Sequence, residues 1–200
     1  MKKRLGKGKK RAKSGCCALF ERKELAWILG AGVIGVLSFF LLDSSVAGFF
    51  KEFELSWLSA FLSLFKPISI IVIFAALIAG VLWRKHRRNQ IIPLGLALLL
   101  SYLASLALKL LIMRPRPFGL VEYITFTNLL DYSLPSSHAT AVFSVLPSLE
   151  KLKWLNYLWI AFAFIIAFSR VYLGVHYLSD VIFGALLGYI TGKLILGMKK

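Results

Sequence analysis

The segment Ser169-Arg-Val-Tyr-Leu-Gly-Val-His-Tyr-Leu-Ser-Asp180 lies between two long apolar runs and carries three ionisable side chains. Charged groups beside lipid are costly, so such groups in an apolar chain indicate a functional site. His176 and Asp180 are four residues apart, which places them on one face if the segment is helical. An aspartate on one imidazole nitrogen leaves the other free to react, and the Arg170 fork matches a phosphoryl group. The segment therefore favours phosphoryl transfer over the alternative, an incidental ion pair at a helix end.

The composition is that of an integral membrane protein. The 200-residue chain is 58% hydrophobic, its mean hydropathy is +0.76, and several apolar runs approach the ~20 residues that cross a bilayer. We predict an all-α fold, an integral membrane bundle of six transmembrane helices with an additional helix in the outer interface. The predicted spans are residues 25–42, 67–83, 91–113, 136–149, 154–168 and 181–196. Residues 25–200 form the membrane domain, and residues 1–24 form a basic cytoplasmic arm.

The positive charge is distributed unevenly between the two sides of this predicted bundle. Six spans put both termini on one side, where 19 of the 25 basic residues meet only three acidic ones, which accounts for the whole net charge of +16. The positive-inside rule makes that side cytoplasmic, and it places the segment around His176 at the extracytoplasmic face. In a soluble protein this charge would suggest nucleic-acid binding, but the topology already explains it, so we predict no nucleic-acid partner.

The N-terminal third leaves several alternatives open. Residues 48–66 alternate apolar and charged groups, which indicates an outer interfacial helix that either guides a lipid substrate or packs against the bundle. The basic arm either lies on anionic lipid or acts only as a topology signal. Cys16 and Cys17 are adjacent in this cytoplasmic arm, so no structural disulfide is expected, and palmitoylation is an alternative fate.

The third predicted span ends in Lys109-Leu-Leu-Ile-Met-Arg114-Pro115-Arg116-Pro117, where two prolines stop the helix at the outer face. Lys109 lies among apolar neighbours below that end, so its ammonium must snorkel outward or meet an anion. Arg114 and Arg116 stand at the mouth of the predicted site. Ordinary snorkelling is a sufficient interpretation of Arg114.

The fourth predicted span opens with Pro135-Ser136-Ser137-His138, which is a helix-start pattern. The free backbone N–H groups and the positive end of the helix dipole make such a terminus suitable for phosphate. His138 lies in the first turn, at the same predicted depth as Arg170 and His176. By contrast, His86 lies among basic residues of a cytoplasmic turn, and we interpret it as a solvated loop residue.

Together, the outer ends of spans three to six form one candidate site. Two histidines can take the two catalytic roles of a phosphoryl transfer: one attacks phosphorus, and the other protonates the leaving oxygen. Nearby cations can stabilise the negative charge that develops. Asp180, Glu122 and Asp131 do not form a compact carboxylate set, so we predict no metal and no cofactor. The candidate residues are Lys109, Arg116, Ser136, Ser137, His138, Arg170, His176 and Asp180.

Three motifs resemble the signature of the type 2 phosphatidic acid phosphatase family. They are Lys109-x6-Arg116-Pro117, Pro135-Ser136-Ser137-His138 and Ser169-Arg170-x5-His176-x3-Asp180, within a resemblance that covers roughly residues 65–196. The resemblance implies an integral membrane, metal-independent phosphatase of lipid phosphates or diphosphates, related to vanadium haloperoxidases. It implies His176 as nucleophile, Asp180 as its orienting partner and His138 as general acid. It also implies that Lys109, Arg116, Arg170 and the Ser136–Ser137 segment hold the phosphate.

One position departs from the family pattern. The second motif usually reads Pro-Ser-Gly-His, and Ser137 stands here in place of the glycine. A serine still supplies its backbone N–H and adds a hydroxyl. The substitution would matter if the backbone at Ser137 needed a positive φ.

These observations predict a membrane phosphatase that works at the extracytoplasmic face through a phosphohistidine intermediate. The leading substrate is a polyprenyl (undecaprenyl-type) diphosphate, and the alternative is phosphatidate or phosphatidylglycerol phosphate. The non-enzyme alternative is a membrane protein that only binds anionic lipid. That alternative would require His176 and His138 to be dispensable.

Overall fold

The computed structural model describes residues 20–117 and 132–198, and every regular element in those ranges is a helix. The predicted arm up to residue 19, with Cys16 and Cys17, and the acidic residues Glu122 and Asp131 lie outside the described ranges. The elements are α1 (Arg22–Leu37), a π-helical turn (Ser38–Leu42), α2 (Asp43–Glu52), α3 (Ser56–Ser63), α4 (Ser69–Arg84), a 3-10 turn (Arg88–Gln90), α5 (Ile91–Ile112), α6 (Ser137–Ser144), α7 (Leu146–Leu149), α8 (Lys153–Tyr172) and α9 (Leu178–Gly197).

Four of the described helices are long and apolar enough to cross a membrane: Arg22–Glu52, Arg88–Ile112, Lys153–Tyr172 and Leu178–Gly197. The helix α4 is apolar but shorter, at 16 residues. The predicted fourth span, residues 136–149, is instead divided into α6 and α7. The helix is interrupted because Pro147 lacks the N–H that would continue the hydrogen-bond ladder. The all-α class therefore holds for the described residues, while the count of six spans is not confirmed.

The first helix is longer than predicted. The π-helical turn joins α1 to α2 without a break, so the helix continues to Glu52, well past the predicted end at residue 42. Residues 48–66 are consequently not one interfacial helix, because they contain the end of α2, an irregular link and α3. The link packs against the bundle, since the Leu55 N–H donates to Tyr172 Oη at 2.8 Å.

Apolar side chains occupy both the interior and the outside of the bundle. The core lies between α4, α5, α6, α7 and α8, where Ile71, Leu82 and Ile166 are fully buried. Trp27 and Leu111 point outward and are 80% and 78% exposed. Water disfavours so much exposed apolar surface, and lipid does not, so this distribution is typical of a bundle embedded in a bilayer.

Close contact between α6 and α9 places the candidate site. Gly184, Gly188 and Gly192 recur every fourth residue where α9 meets α6, and a Cβ on Gly188 would lie 2.1 Å from the Thr140 carbonyl oxygen. Only a residue without Cβ permits this approach, so the three glycines allow α9 to pack closely on α6. The start of α6 is thereby brought to the start of α9.

Candidate active site

The three sequence motifs meet where α5 and α8 end and where α6 and α9 begin. The Ser136 N–H, at the start of α6, donates to the Asp180 carbonyl at 3.0 Å. The His176 N–H donates to the Arg170 carbonyl at 3.1 Å across the link between α8 and α9. A backbone hydrogen bond therefore joins the second motif to the third, and the Arg116 side chain of the first motif reaches the third by donating to the Val175 carbonyl.

His176 is buried in the link between α8 and α9, with its Nδ1 side turned to Asp180. Nδ1 lies 3.7 Å from Asp180 Oδ2, which is close for a charge but longer than a hydrogen bond. Burial lowers the pKa of His176 to about 4, and the nearby cations of Lys109 and Arg116 act in the same direction while Asp180 opposes them. The imidazole is therefore neutral at pH 7, as a nucleophile requires.

Two of the three predicted cations act on this histidine, and the third, Arg170, acts on His138 in the same region. Lys109 is buried and its Nζ donates to the Tyr132 carbonyl, while Arg116 Nη1 donates to the Val175 carbonyl at 3.0 Å. The positive charges of Lys109 and Arg116 both lower the pKa of His176. Arg170 is also buried, and its Nε donates to Ser169 Oγ at 3.1 Å. The cluster is strongly positive, as an anion site must be.

Besides His176 Nδ1, two further polar atoms at the site are left without a hydrogen-bond partner in the described part of the chain. Arg170 Nη2 and Ser136 Oγ are buried, and neither makes a hydrogen bond within the described part of the chain. A buried unsatisfied donor costs about 1–3 kcal/mol, so such groups need an explanation. Oxygen atoms of a bound phosphoryl group would satisfy both.

His138 lies in the first turn of α6, with its ring directed at the link before α4. Its Nε2 is 2.7 Å from the Lys66 carbonyl oxygen, and because a carbonyl only accepts, Nε2 carries the proton. Nδ1 is then the nitrogen that remains for proton transfer. The charges of Arg170, His176 and Arg116 all act on His138, so it belongs to the same cluster.

Ser137 fits the position where the family pattern has glycine. Ser137 is the first residue of α6, and the only described non-glycine residues with positive φ are His86 and Met113. Ser137 Oγ also pairs with Ser105 Oγ of α5 at 3.0 Å. The backbone here does not need a positive φ, so the substitution causes no strain.

Two residues at the site were missed or misinterpreted from sequence. Arg114 does not snorkel, since it is 13% exposed and forms ion pairs with both Asp43 and Asp180. Asp43 is buried and binds Ser179 through the N–H of that residue at 3.0 Å. A signal for Asp43 existed, because a carboxylate directly after the apolar run of the first helix is costly unless paired.

These features are those of a multi-pass helical membrane protein with a buried, positively charged cluster around His176. The model of the PAP2 superfamily matches residues 90–200, more than half of the sequence, and the chain belongs to that superfamily. The resemblance to type 2 phosphatidic acid phosphatases is thereby confirmed. Membership supports a phosphatase, within the hydrolases.

Individual relatives agree with this assignment. An undecaprenyl-diphosphatase of Sulfolobus acidocaldarius is 38% identical over 103 residues, which is 48% of this chain and 50% of that protein. The chain therefore matches about half the length of this relative. A PAP2 type phosphatidylglycerolphosphate phosphatase from Bacillus subtilis has the same fold, with a TM-score of 0.65, 22% identity and coverage of 86% of this chain and 95% of that one. LpxE of Aquifex aeolicus gives a TM-score of 0.59 at 29% identity, covering 78% of this chain and 95% of that one.

Proposed function

We propose that this chain is a membrane-embedded phosphatase that hydrolyses a lipid phosphate or diphosphate through a phosphohistidine intermediate. The observation that carries the proposal is the buried neutral imidazole of His176 among Lys109, Arg116 and Arg170. A neutral nucleophile and a positive cradle are the two things that attack on an anionic phosphorus requires.

The proposed reaction has two steps that share His138. In the first, His176 Nε2 attacks phosphorus, the bond from phosphorus to the leaving oxygen breaks, and His138, carrying a second proton on Nδ1, gives that proton to the leaving oxygen. In the second, water attacks the phosphohistidine and gives a proton to His138. Inorganic phosphate leaves, and both histidines return to their starting states. Asp180, on the Nδ1 side of His176, orients the ring and stabilises the positive charge that develops on it.

The cradle holds the non-bridging oxygens during both steps. Arg170 Nη2 and Ser136 Oγ are buried and available in the described structure, and the start of α6 adds Ser137 and its helix N-terminus. Lys109 and Arg116 add positive charge from the end of α5. We propose that these cations replace a metal, and the described residues include no group of three or more His, Cys, Asp or Glu side chains placed to bind one.

The proposed substrate is a polyprenyl (undecaprenyl-type) diphosphate, supported by the name of the Sulfolobus acidocaldarius relative. The charge asymmetry supports a cytoplasmic location for both termini and an extracytoplasmic site. Phosphatidate and phosphatidylglycerol phosphate are the substrates to compare, because apolar pockets discriminate weakly between lipid tails.

The test is phosphate release by purified protein in detergent, with EDTA present and with each of the three lipids. We expect release by the wild type and a loss of at least about a thousandfold in His176→Ala, since the nucleophile is removed. His86→Asn is the matched control, because His86 is exposed in a turn at φ 56 and asparagine tolerates that backbone.

Each outcome separates the alternatives. Release that survives His176→Ala would exclude the phosphohistidine mechanism, and release abolished by EDTA would exclude metal independence. If folded wild type binds the lipids but hydrolyses none of them, the chain acts as an anionic-lipid-binding protein. The order of kcat/KM among the three lipids identifies the substrate class.

A further inference from the structure

A second buried aspartate is linked to Asp180, the proposed partner of His176. Arg114 forks between two carboxylates: Nη1 donates to Asp180 Oδ1 at 2.6 Å, and Nη2 donates to Asp43 Oδ2 at 2.7 Å. Asp43 also accepts from the Ser179 N–H at 3.0 Å and from Ser179 Oγ at 2.5 Å. Asp43 therefore binds two neighbours of Asp180: Arg114, which forms an ion pair with Asp180, and Ser179, which precedes Asp180 in the chain.

Two further described groups contact this network. Ser38 Oγ donates to Asp43 Oδ1 at 3.1 Å, and the Arg114 guanidinium lies 4.0 Å from the centre of the Tyr177 ring. Asp43 is 3% exposed and Asp180 is 0% exposed. Desolvation offsets much of the attraction in a buried ion pair, so stability alone is a weak reason for such a network. Its geometry is better suited to holding the Asp180 carboxylate in one orientation.

Charge balance gives Asp43 a specific effect on the site. Two carboxylates share one guanidinium, which leaves the network with a formal charge of minus one and leaves Asp180 only partly neutralised. Without the charge of Asp43, Arg114 would pair with Asp180 alone. Asp180 Oδ2, which lies 3.7 Å from His176 Nδ1, would then offer less negative charge to the imidazole.

We infer that Asp43 is a positioning residue for His176, acting on Asp180 through Arg114 and Ser179. Asp43 lies outside residues 90–200, the part of the chain that the superfamily model matches. The first helix thus completes a site whose other groups come from the matched region. This inference rests on the proposed function, because it assigns Asp43 a part in the same reaction.

The test compares Asp43→Asn with a matched control at the other end of the same helix. Asparagine keeps the shape and the acceptor for Ser179 but removes the charge. Glu24 also joins the first helix to α9, through Lys193 and Tyr189, and it is remote from the cradle, so Glu24→Gln tests a purely structural link. Phosphate release gives kcat and KM, and thermal unfolding gives the midpoint temperature of each folded variant.

We expect Asp43→Asn to lower kcat by about 10- to 100-fold, the range for outer partners that orient a functional histidine, with KM within about twofold because the cradle is untouched. Glu24→Gln should lower the unfolding midpoint and leave kcat unchanged. In the Asp180→Asn background, adding Asp43→Asn should cost less than about twofold, since a residue that acts through Asp180 has nothing left to act on. Labelled substrate makes the residual rate of that background measurable.

Several results would overturn the inference. These are a wild-type kcat in Asp43→Asn, a change confined to KM, or the same loss with and without Asp180. If Asp43→Asn does not fold, Arg114→Lys decides the matter: a lysine cannot bridge two carboxylates, so an unchanged kcat there would also refute the inference. Inactivity of the wild type would refute the proposed function itself. If the wild type is active and His176→Ala is inactive, the proposed function stands, and a negative result for Asp43→Asn then refutes only the inference about Asp43.

Discussion

Replacement of Gly188 by alanine tests whether close packing of α9 on α6 holds the site together. The added Cβ would lie 2.1 Å from the Thr140 carbonyl oxygen, 2.9 Å from its carbon and 3.1 Å from the Ser144 nitrogen. All three are backbone atoms, so no side chain can rotate away, and the helices must separate by at least about 1.3 Å to reach ordinary contact. Overpacking costs about 1–3 kcal/mol, and a backbone clash belongs at the upper end of that range.

The assay is thermal and denaturant unfolding in detergent, together with phosphate release. Gly95→Ala in α5 is the control, because its Cβ would meet nothing within 4 Å and alanine is the better helix former. We expect Gly188→Ala to lose about 3 kcal/mol of unfolding free energy and to lose activity. The loss of activity follows because the Ser136 to Asp180 backbone contact depends on the same interface. Equal stability of the two variants would refute the packing argument.

Two further predictions concern the site itself. Ser137→Gly should keep activity within about twofold, because the backbone there is already helical, and should cost about 1 kcal/mol through the lost hydrogen bond to Ser105; phosphate release and unfolding measure both. The pKa of His176 falls from 6.5 to about 4 on folding, so the unfolded chain binds more protons below pH 6.5 and stability must fall as the pH drops from 6.5 towards 4. The unfolding midpoint of the wild type should therefore fall more steeply over that window than that of His176→Gln, and parallel curves would contradict the burial of this imidazole.

The site could be predicted from sequence to the extent that its residues lie in short motifs. His176 and Asp180 are four residues apart, which keeps them close, but His176 precedes α9 and the extended residue Tyr177 separates it from the helix, so the 3.7 Å approach of the two side chains does not come from helical periodicity. The PAP2 resemblance rested on such local spacings, and the superfamily match confirms it. Arg114 was misinterpreted because its interactions are not local in sequence. Its partner Asp43 is 71 residues away, and nothing local to either residue shows that they meet.

The fold was likewise predictable from sequence only in part. Apolar runs predicted the helical class correctly, because each residue in lipid must satisfy its backbone within its own helix. The length of each helix was less predictable. Residues 136–149 are predicted as one span, yet α6 and α7 are short segments buried by their neighbours.

The apolar character of the chain, its charge asymmetry, and the order and spacing of the groups proposed for phosphoryl transfer all follow from the amino-acid sequence alone. Those properties depend on composition and on intervals of a few residues, which helical geometry converts directly into shared faces. Only the tertiary structure decided that the first helix brings Asp43 to Arg114 and that α6 meets α9 closely enough for Ser136 to bond Asp180. The physical reason is that these contacts depend on how separate helices pack, and glycine positions and burial set that packing only once the whole bundle has formed.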